Sequence, residues 1–404
     1  MCNNNIDDRA RQVADSIRGS LMAGAAGDAL GYEVEFMSRR SILARFGGQG
    51  ITRFALDSDG KALISDDTQM SLFTANGMLT GLTRGKMCGM ATRPEDCVEA
   101  AYVDWYYTQT GMGQKDDSRC TWLRDLSAMA HRRAPGTTCM TACQNLRQGL
   151  PAQNDSKGCG GIMRVAPVAL LNAAYISRNE QLYSINELAE VGGQIAECTH
   201  KHPLGFLSAS LLTVLLAKVV ARSPEQVKHE IDSLVAETLS ILDNIYVGKY
   251  DSDKQHLKEL TNKAVALAHS TMADADAIDI LGEGWTGEEA WAIALYCAIR
   301  HIDSVEDAII AAVNHDGDSD STGSICGNIV GAIYGYEHIK KRNIFCPEGK
   351  TLEETLELSE IILAIADDLA TGCIIGEHDP IDTPKKSRWH DRYCKMQPAG
   401  ITTW

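Results

Sequence analysis

The sequence predicts an all-α protein that folds as a single compact domain. Apolar residues recur at helical spacing along most of the 404 residues, and alternating runs typical of strands are rare. No linker rich in Pro, Ser or charge divides the chain, and no repeat of solenoid length is visible. We assign residues 1–384 to one helical domain and 385–404 to a C-terminal tail, and we expect Trp389, Tyr393 and Trp404 to dock on the domain.

Composition and charge restrict the partners that the chain can have. Hydrophobic residues make up 44% of the sequence, which is enough to fill a substantial core. The formal net charge of −16 argues against a nucleic-acid surface or an anionic membrane, because both require clustered Lys and Arg. A phosphorylated ligand would therefore need a cation or backbone amides at its site.

The cysteines and the N-terminus predict a cytoplasmic location. The thirteen cysteines are scattered, odd in number and never form a C-x-x-C pair, which favours reduced thiols. Cys139 and Cys143 are spaced to share a helix face, but no second pair completes a zinc site. Residues 1–16 lack the features of a signal peptide. The longest apolar run, Phe206–Ala221, is shorter than a membrane span and is predicted to be a buried helix.

Two predicted helices each carry a row of small residues. The first extends from Val13 to Gly31, and its small residues are Gly19, Ala23, Gly27 and Gly31. The second follows an acidic stretch near the end of the chain, and its glycines are Gly323, Gly327, Gly331 and Gly335. Glycine inside a helix costs about 1 kcal/mol relative to alanine, so such rows require a reason. We predict that the two helices pack against each other through these rows.

The remaining predicted helices follow from apolar periodicity and from capping residues. Loops are expected at Arg45–Leu63 and at the glycines of residues 158–161. Further helices are predicted from Ser65 through Met78, and at Pro94–Tyr107, Ile185–Cys198, Leu204–Ala221, Pro224–Val247, Glu288–Ile302, Val305–Val313 and Leu352–Thr371.

The acidic stretch Asn314–Gly323 contains three carboxylates and several hydroxyls in ten residues. Clustered carboxylates repel one another unless a proton or a cation neutralises them, and Mg²⁺, Mn²⁺ and Ca²⁺ prefer oxygen ligands. The alternative is a polar loop that caps a helix, since Asp and Ser are favoured there too. The stretch alone does not decide between these two interpretations.

A second acidic motif favours the metal site. Ser65-Asp66-Asp67-Thr68 places adjacent carboxylates at a helix start, and Asp318-Ser319-Asp320-Ser321 repeats that composition before the second glycine-rich helix. Four carboxylates and two or three hydroxyls are about what two octahedral cations need, once water and substrate take the remaining positions. We therefore predict a metal site that could hold two such cations.

These motifs resemble the ADP-ribosylglycohydrolase family, from about Ile17 to Ala370. The segments that carry the resemblance are Gly27-Asp28-Ala29-Leu30-Gly31 with Glu35 after it, Ser65-Asp66-Asp67-Thr68, Ser156 to Pro167, Thr199-His200 and Gly317-Asp318-Ser319-Asp320-Ser321. The resemblance implies an all-helical fold and a dinuclear Mg²⁺ or Mn²⁺ centre. It implies that the metal ligands are Ser65, Asp66, Asp67, Asp318, Asp320 and Ser321.

The resemblance also implies a hydrolase that cleaves the bond between ADP-ribose and an acceptor. Glu35 falls where the family has a glutamate that closes over the metals, and it is our candidate for proton transfer, with Asp67 or Asp318 as alternatives. Ser321 keeps the hydroxyl where many family members have Thr. Asp316, where the family more often has Gly, has no predicted role.

The other predicted site residues concern the substrate. Backbone amides of Gly158, Cys159, Gly160 and Gly161 are expected to approach a diphosphate, although an ordinary turn is the alternative. His200 is expected to line the cleft, or else to cap a helix. Arg164 is expected to pair with a buried carboxylate, and Asp28 to hold the loop that carries Glu35.

The expected partners are an ADP-ribosylated protein or a small ADP-ribosyl compound, with no nucleic acid and no membrane. Acceptor selection is expected in the loops Lys86–Arg93 and Gly111–Arg119. Two alternatives stay open: a hydrolase of another nucleotide-like N- or O-glycoside, and a non-catalytic metal-binding relative of the same fold. The retained carboxylates argue against the second, because a scaffold has no reason to keep like charges together.

Overall fold

The computed structural model describes residues 2–89, 93–111, 119–220 and 222–395, with side chains from residue 8 onward. Within these ranges the chain is mainly helical and contains no β-strand, and isolated bridges join Ala62 to Leu356 and Gly158 to Thr286. The prediction of an all-α fold is confirmed.

The α-helices are numbered in chain order. They are α1 (Cys2–Tyr32), α2 (Arg39–Phe46), α3 (Asp66–Met87), α4 (Val98–Thr110), α5 (Thr137–Arg147), α6 (Ala166–Ile176), α7 (Ile185–Glu197), α8 (Pro203–Val219), α9 (Pro224–Asn244), α10 (Asp251–Ala268), α11 (Asp274–Leu281), α12 (Gly287–Arg300), α13 (Val305–Val313), α14 (Ser319–Tyr334), α15 (Tyr336–Arg342), α16 (Leu352–Thr355), α17 (Ser359–Thr371) and α18 (Pro384–Trp389). Short 3₁₀ turns lie at Pro94–Cys97, Leu123–Asp125, Ser127–Met129 and Cys159–Arg164, and a π turn at His390–Cys394.

The glycine-rich helices α1 and α14 pack together in the middle of the fold, as their rows predict. A Cβ placed on Gly27 would lie 2.1 Å from the Gly323 carbonyl oxygen, and one on Gly331 would lie 2.2 Å from the Gly19 carbonyl oxygen. The backbones are therefore closer than any side chain would allow. The Ser20 hydroxyl donates a hydrogen bond to the Asn328 carbonyl oxygen at 2.9 Å across the same interface.

One predicted helix is divided. The sequence predicts a continuous helix over Leu352–Thr371, whereas the chain forms α16 and α17 with a break between them, where Leu358 has φ of 57°. Tertiary hydrogen bonds explain the break. The Glu357 amide donates to the Ala62 carbonyl oxygen at 3.0 Å, and the Ala62 amide donates to the Thr355 carbonyl oxygen at 2.9 Å. Pairing with a distant segment replaces helical hydrogen bonds there.

Several helices were not predicted: α2, α5, α6, α10, α11, α15 and α18. At the C-terminus, α18 and the turn after it bury Trp389 and Tyr393 against the helical body. The Trp389 indole donates to the Thr83 hydroxyl at 3.0 Å, and the Tyr393 hydroxyl donates to Asp368 at 2.7 Å. The third aromatic residue expected to dock, Trp404, lies outside the described residues.

One segment of the described residues, Cys159–Ile176, is long and apolar enough to cross a membrane by length and composition alone. In the fold, 83% of it is buried inside the protein, as the core helix of a globular domain would also be.

Candidate active site

A cleft of about 360 Å³ opens where the N-termini of α3 and α14 meet. Ten of the predicted site residues line it: Glu35, Asp66, Asp67, Gly158, Cys159, Gly160, His200, Asp318, Asp320 and Ser321. Two predicted residues do not line it. Ser65 is fully buried beneath the first turn of α3, and Gly161 is buried against the Gly205 carbonyl oxygen and His200.

The N-terminus of α3 holds two of the carboxylates. Ser65 caps the helix, and its hydroxyl accepts a hydrogen bond from the Asp67 amide at 3.1 Å. Asp28 of α1 accepts bonds from the Ser65 amide at 2.9 Å, the Thr68 amide at 3.0 Å and the Thr68 hydroxyl. These contacts fix the turn so that Asp66 and Asp67 project into the cleft.

The N-terminus of α14 holds the other two carboxylates. Asp318 caps this helix and accepts a hydrogen bond from the Ser321 amide at 3.3 Å, while Asp320 accepts one from the same amide at 3.0 Å. The Cys159 thiol donates to Asp318 Oδ2 at 2.8 Å. Before the cap, Gly317 has φ of 123°, and a Cβ there would lie 2.0 Å from the Glu283 carbonyl oxygen, so this position requires glycine.

The cluster concentrates negative charge in a buried place. Asp66, Asp67, Asp318 and Asp320 are each at most 6% exposed. Burial, followed by repulsion from Asp320, raises the pKa of Asp66 and of Asp67 well above the usual range of aspartate. Burial, followed by the charge of Asp318, does the same to the pKa of Asp320. Each shift reflects the cost of ionising buried carboxylates next to one another.

Glu35 lies at the edge of this cluster, just after the end of α1. Its amide donates to the Gly31 carbonyl oxygen at 2.8 Å, which continues the helix by one turn. Burial raises the pKa of Glu35 to about 10, and the charges of Asp320 and Asp318 contribute after burial. Its Oε2 is buried without a hydrogen-bond partner in the described structure.

The donor set fits divalent cations. Asp67 Oδ2 is a second buried carboxylate oxygen without a hydrogen-bond partner among the described residues, and the surrounding ligands are hard oxygens. A cation bound among these oxygens would offset the repulsion between the carboxylates. In the described ranges, no group of three or more His, Cys, Asp or Glu side chains is already arranged as a metal cage.

The glycine segment offers fewer free amides than predicted. It forms the 3₁₀ turn Cys159–Arg164. The Gly158 amide donates to the Ser156 hydroxyl at 3.3 Å and the Cys159 amide to the Trp285 carbonyl oxygen at 3.1 Å. Of the four predicted amides, only Gly160 therefore combines a place in the cleft lining with a free amide.

Two expectations about neighbouring residues are corrected. Asp28 holds the first turn of α3, where three donors converge on it, and not the loop that carries Glu35. Arg164 contacts the Thr199 hydroxyl, the Ile195 carbonyl oxygen and the Tyr102 ring in place of the predicted carboxylate.

Asp316, which had no predicted role, lies outside the cleft lining. Its Oδ1 accepts a hydrogen bond at 2.8 Å from the amide of Arg39, the first residue of α2. Its role in the fold is to satisfy a free amide at a helix start.

Sequence reasoning missed two parts of the cleft. One is the segment 134–138 at the start of α5, where a Pro-Gly pair before two threonines is a turn and helix-start signal. The other is the pair Phe36 and Trp285, whose rings stack with centroids 5.4 Å apart. Phe36 is 71% exposed and has φ of 64°, which is unusual for a non-glycine residue. No periodicity predicts an exposed ring.

The loops expected to select the acceptor are only partly described. Lys86–Arg93 lacks residues 90–92 and Gly111–Arg119 lacks residues 112–118, so the central parts of both predictions lie outside the described residues. The described ends of the two loops do not line the cleft.

A family model and individual relatives indicate the same protein family. A family model described as ADP-ribosylglycohydrolase matches residues 9–374. The ADP-ribosylhydrolase ARH3 of Mus musculus is 26% identical over 216 residues, covering 49% of this chain and 55% of that protein. The ADP-ribosyl-(dinitrogen reductase) glycohydrolase of Rhodospirillum rubrum is 24% identical over 361 residues, covering 88% of this chain and 97% of that protein.

A solved structure gives the same architecture. The ADP-ribosylglycohydrolase-related protein complex superposes with a TM-score of 0.52 at 19% identity, covering 89% of this chain and 99% of that chain. At this identity the likeness shows the fold. The match to the mouse protein spans about half the length of that relative.

Proposed function

The chain belongs to the ADP-ribosylglycohydrolase family, and we propose that it hydrolyses the glycosidic bond between ADP-ribose and an acceptor with the help of divalent cations. One observation carries the proposal. Four buried aspartates and Glu35 share one cleft, and two of their oxygens, Asp67 Oδ2 and Glu35 Oε2, have no hydrogen-bond partner in the described structure. A fold has no stabilising use for such a cluster, so the cluster indicates a ligand.

The proposed cations are two Mg²⁺ or Mn²⁺ ions. Ser65, Asp66 and Asp67 from the start of α3 and Asp318, Asp320 and Ser321 from the start of α14 would hold them. When bound, the cations supply positive charge that neutralises the carboxylates, orients the ribose hydroxyls and lowers the pKa of water. The hydrogen bonds that Asp28 accepts from Ser65 and Thr68 keep the first set in place before any ion binds.

We propose that Glu35 takes part in the proton transfer of this reaction. In the reaction a bond forms between a water oxygen and the anomeric carbon, and the bond from that carbon to the acceptor breaks. One water proton passes to the Glu35 carboxylate, which would be ionised once bound cations neutralise the neighbouring aspartates, and the departing acceptor atom takes a proton in return. Glu35 lines the cleft, and its Oε2 has no hydrogen-bond partner in the described structure that would compete for this exchange.

The diphosphate of ADP-ribose is proposed to lie at the start of α5. Gly136 caps this helix without a side-chain hydrogen bond, and residues 136–138 line the cleft. Free amides and the positive end of the helix dipole attract a phosphate without any Lys or Arg, which suits a chain of net charge −16. The Gly160 amide adds one further donor.

The acceptor side is proposed to contact the stacked rings of Phe36 and Trp285. Both rings line the cleft and remain 71% and 36% exposed. Exposed aromatic rings beside a reaction centre offer a flat apolar contact for a substrate group. The acceptor would be a modified protein side chain or a small ADP-ribosyl compound.

We also propose that the chain works in a reducing compartment such as the cytoplasm. The twelve cysteines of the described side chains are all free thiols, and most of them are buried. Thiols without disulfides suit a compartment in which glutathione keeps them reduced.

Incubation of the protein with a panel of substrates tests the activity. The panel contains arginine-linked and serine-linked ADP-ribosyl peptides and free ADP-ribosyl compounds, and released ADP-ribose is measured with Mg²⁺, with Mn²⁺ and with EDTA. We expect release that requires a divalent cation. Cleavage of other nucleosides alone would support a different glycoside hydrolase, and metal binding without any cleavage would indicate a non-catalytic relative.

A further inference from the structure

Arg164 is a fully buried cation that the proposed reaction does not use. It ends the 3₁₀ turn Cys159–Arg164 and lies with its guanidinium carbon 4.3 Å from the centroid of the Tyr102 ring. Its Nη2 donates to the Thr199 hydroxyl and to the Ile195 carbonyl oxygen, the latter at 3.2 Å. No carboxylate among the described residues forms an ion pair with it. A buried charge whose other hydrogen-bond contacts are only to sulfur atoms requires an explanation.

The Thr199 hydroxyl connects Arg164 to a residue of the cleft. Its oxygen accepts from Arg164 and lies 2.9 Å from Nδ1 of His200. The hydroxyl has one proton to donate, and the alternative acceptor, the Ala196 carbonyl oxygen, is farther away at 3.4 Å. The shorter contact favours a bond from the Thr199 hydroxyl to an unprotonated Nδ1.

Electrostatics favours the same assignment. A hydroxyl that accepts a bond from a guanidinium becomes a stronger donor, so Thr199 donates more readily to His200. The positive charge of Arg164 also favours a lone pair over an N–H at the nearby Nδ1. Burial, followed by the Arg164 charge, lowers the pKa of His200 to about 3, so the ring is neutral at neutral pH. With Nδ1 unprotonated, its one proton is on Nε2.

Nε2 of His200 faces the cleft between two glycines. A Cβ on Gly158 would lie 3.2 Å from this nitrogen, and a Cβ on Gly160 would lie 3.3 Å from it, so side chains at either position would crowd it. His200 lines the cleft, and no described residue forms a hydrogen bond with Nε2. Nε2 is therefore available to form a hydrogen bond with a ligand.

We propose that Arg164 and Thr199 are positioning residues that hold His200 in its neutral Nε2–H form, so that it donates a hydrogen bond to an acceptor oxygen of the bound ligand. The identity of that ligand, ADP-ribose, rests on the proposed function, whereas the tautomer of His200 does not. The oxygen belongs to the diphosphate or to a ribose hydroxyl, since these are the acceptors that ADP-ribose presents.

Nitrogen NMR of the ¹⁵N-histidine-labelled protein tests the tautomer directly. The chain has 11 histidines, and the variant His200→Gln identifies the His200 signals by their loss. We expect the proton on Nε2 in the wild type and in Thr199→Ser, which keeps the hydroxyl. In the isosteric Thr199→Val we expect a mixture or a proton on Nδ1. A proton on Nδ1 in the wild type would overturn the proposal, even if the valine variant failed to fold.

Titration with ADP-ribose tests the consequence for binding. Thr199→Val should weaken the affinity about tenfold, the scale of one hydrogen bond to an anionic ligand, and Thr199→Ser should retain the wild-type affinity. Equal affinity of the valine variant and the wild type would refute a positioning role. If the wild type failed to bind ADP-ribose but carried the proton on Nε2, the proposed substrate would be wrong and the positioning of His200 would stand.

Discussion

Asp320 is the single residue with the widest electrostatic influence in the cleft. After burial, its charge is the next contribution that raises the pKa of Asp28, Glu35, Asp66 and Asp67. A side chain whose charge raises the pKa of four other carboxylates lowers the stability of the metal-free fold. The same side chain is a proposed metal ligand. The negative charge that destabilises the metal-free fold is therefore also the charge that would bind a cation.

Replacement of Asp320 separates these two effects. We expect Asp320→Asn to abolish hydrolysis and the response of stability to divalent cations. The metal-free variant should be more stable than the metal-free wild type by about 1 kcal/mol or more, because one repelling charge is gone. Chemical unfolding in EDTA measures this difference.

Asp316→Asn is the matched control. Asp316 belongs to the same acidic stretch, but it accepts a bond from the Arg39 amide outside the cleft, and asparagine keeps an acceptor oxygen. This variant should retain its cation response and its activity. Loss of both in Asp316→Asn, or full activity in Asp320→Asn, would contradict the assignment of ligands.

Glu35 gives the second residue-scale prediction. Glu35→Gln should lower turnover by about 10²–10⁴, the range for loss of a general acid or base, while cation binding is retained. Single-turnover rates and cation titration of the same variant measure the two quantities. Glu33→Gln is the control, because Glu33 pairs with Arg45 and does not line the cleft. Unchanged turnover in Glu35→Gln would remove Glu35 from the mechanism.

The sequence predicts which side chains the cleft contains better than it predicts their partners. Composition alone indicates that Asp66, Asp67, Asp318 and Asp320 form one cluster. The role of Asp28 was not predictable, because its donors belong to a helix that begins far along the chain and meets α1 only in the fold. The bond from Cys159 to Asp318 likewise depends on tertiary approach.

At the scale of secondary structure, the paired glycine rows set the distance between α1 and α14. A Cβ on Gly27 would come within 2.1 Å of the Gly323 carbonyl oxygen, which is backbone and cannot rotate away. We expect Gly27→Ala to destabilise the protein by about 1–3 kcal/mol or more, because the helices must separate. Denaturant unfolding measures the loss.

Gly48→Ala is the control for this prediction. No heavy atom lies within 4 Å of a Cβ placed on Gly48, so the change should stay within about 0.5 kcal/mol. If Gly27→Ala changed the stability as little as Gly48→Ala, the glycines would not be required for the close contact between α1 and α14.

The helices that were not predicted show where periodicity fails. In α10 the buried side chains are Lys254, Leu257, Thr261, Ala264 and Ala268. Because these include a lysine and a threonine, a pattern of apolar residues does not mark the buried face. Its first residue follows Tyr250 in a left-handed conformation, without a side-chain cap. The helix is fixed by tertiary contacts, such as the bond from the Trp291 indole to the Thr261 hydroxyl at 2.9 Å.

At the scale of the whole molecule, the fold brings together two helix starts from distant parts of the chain. The close packing of α1 and α14 places Asp28 below the first turn of α3 and Glu35 beside the carboxylates. The chain as a whole is acidic, with a net charge of −16, and its cleft adds to that field. Bound cations would relieve the repulsion at its most concentrated point.

Thermal unfolding of the metal-free protein, titrated with Mg²⁺ and with Mn²⁺, tests this claim most directly. A cation that binds only the folded state stabilises it by about 2.7 kcal/mol at a concentration of 100 times Kd. We predict that Tm rises by several degrees with at least one of the two ions, and that Asp320→Asn abolishes the rise. A wild-type Tm that neither ion changes would contradict the divalent-cation centre and the function proposed from it.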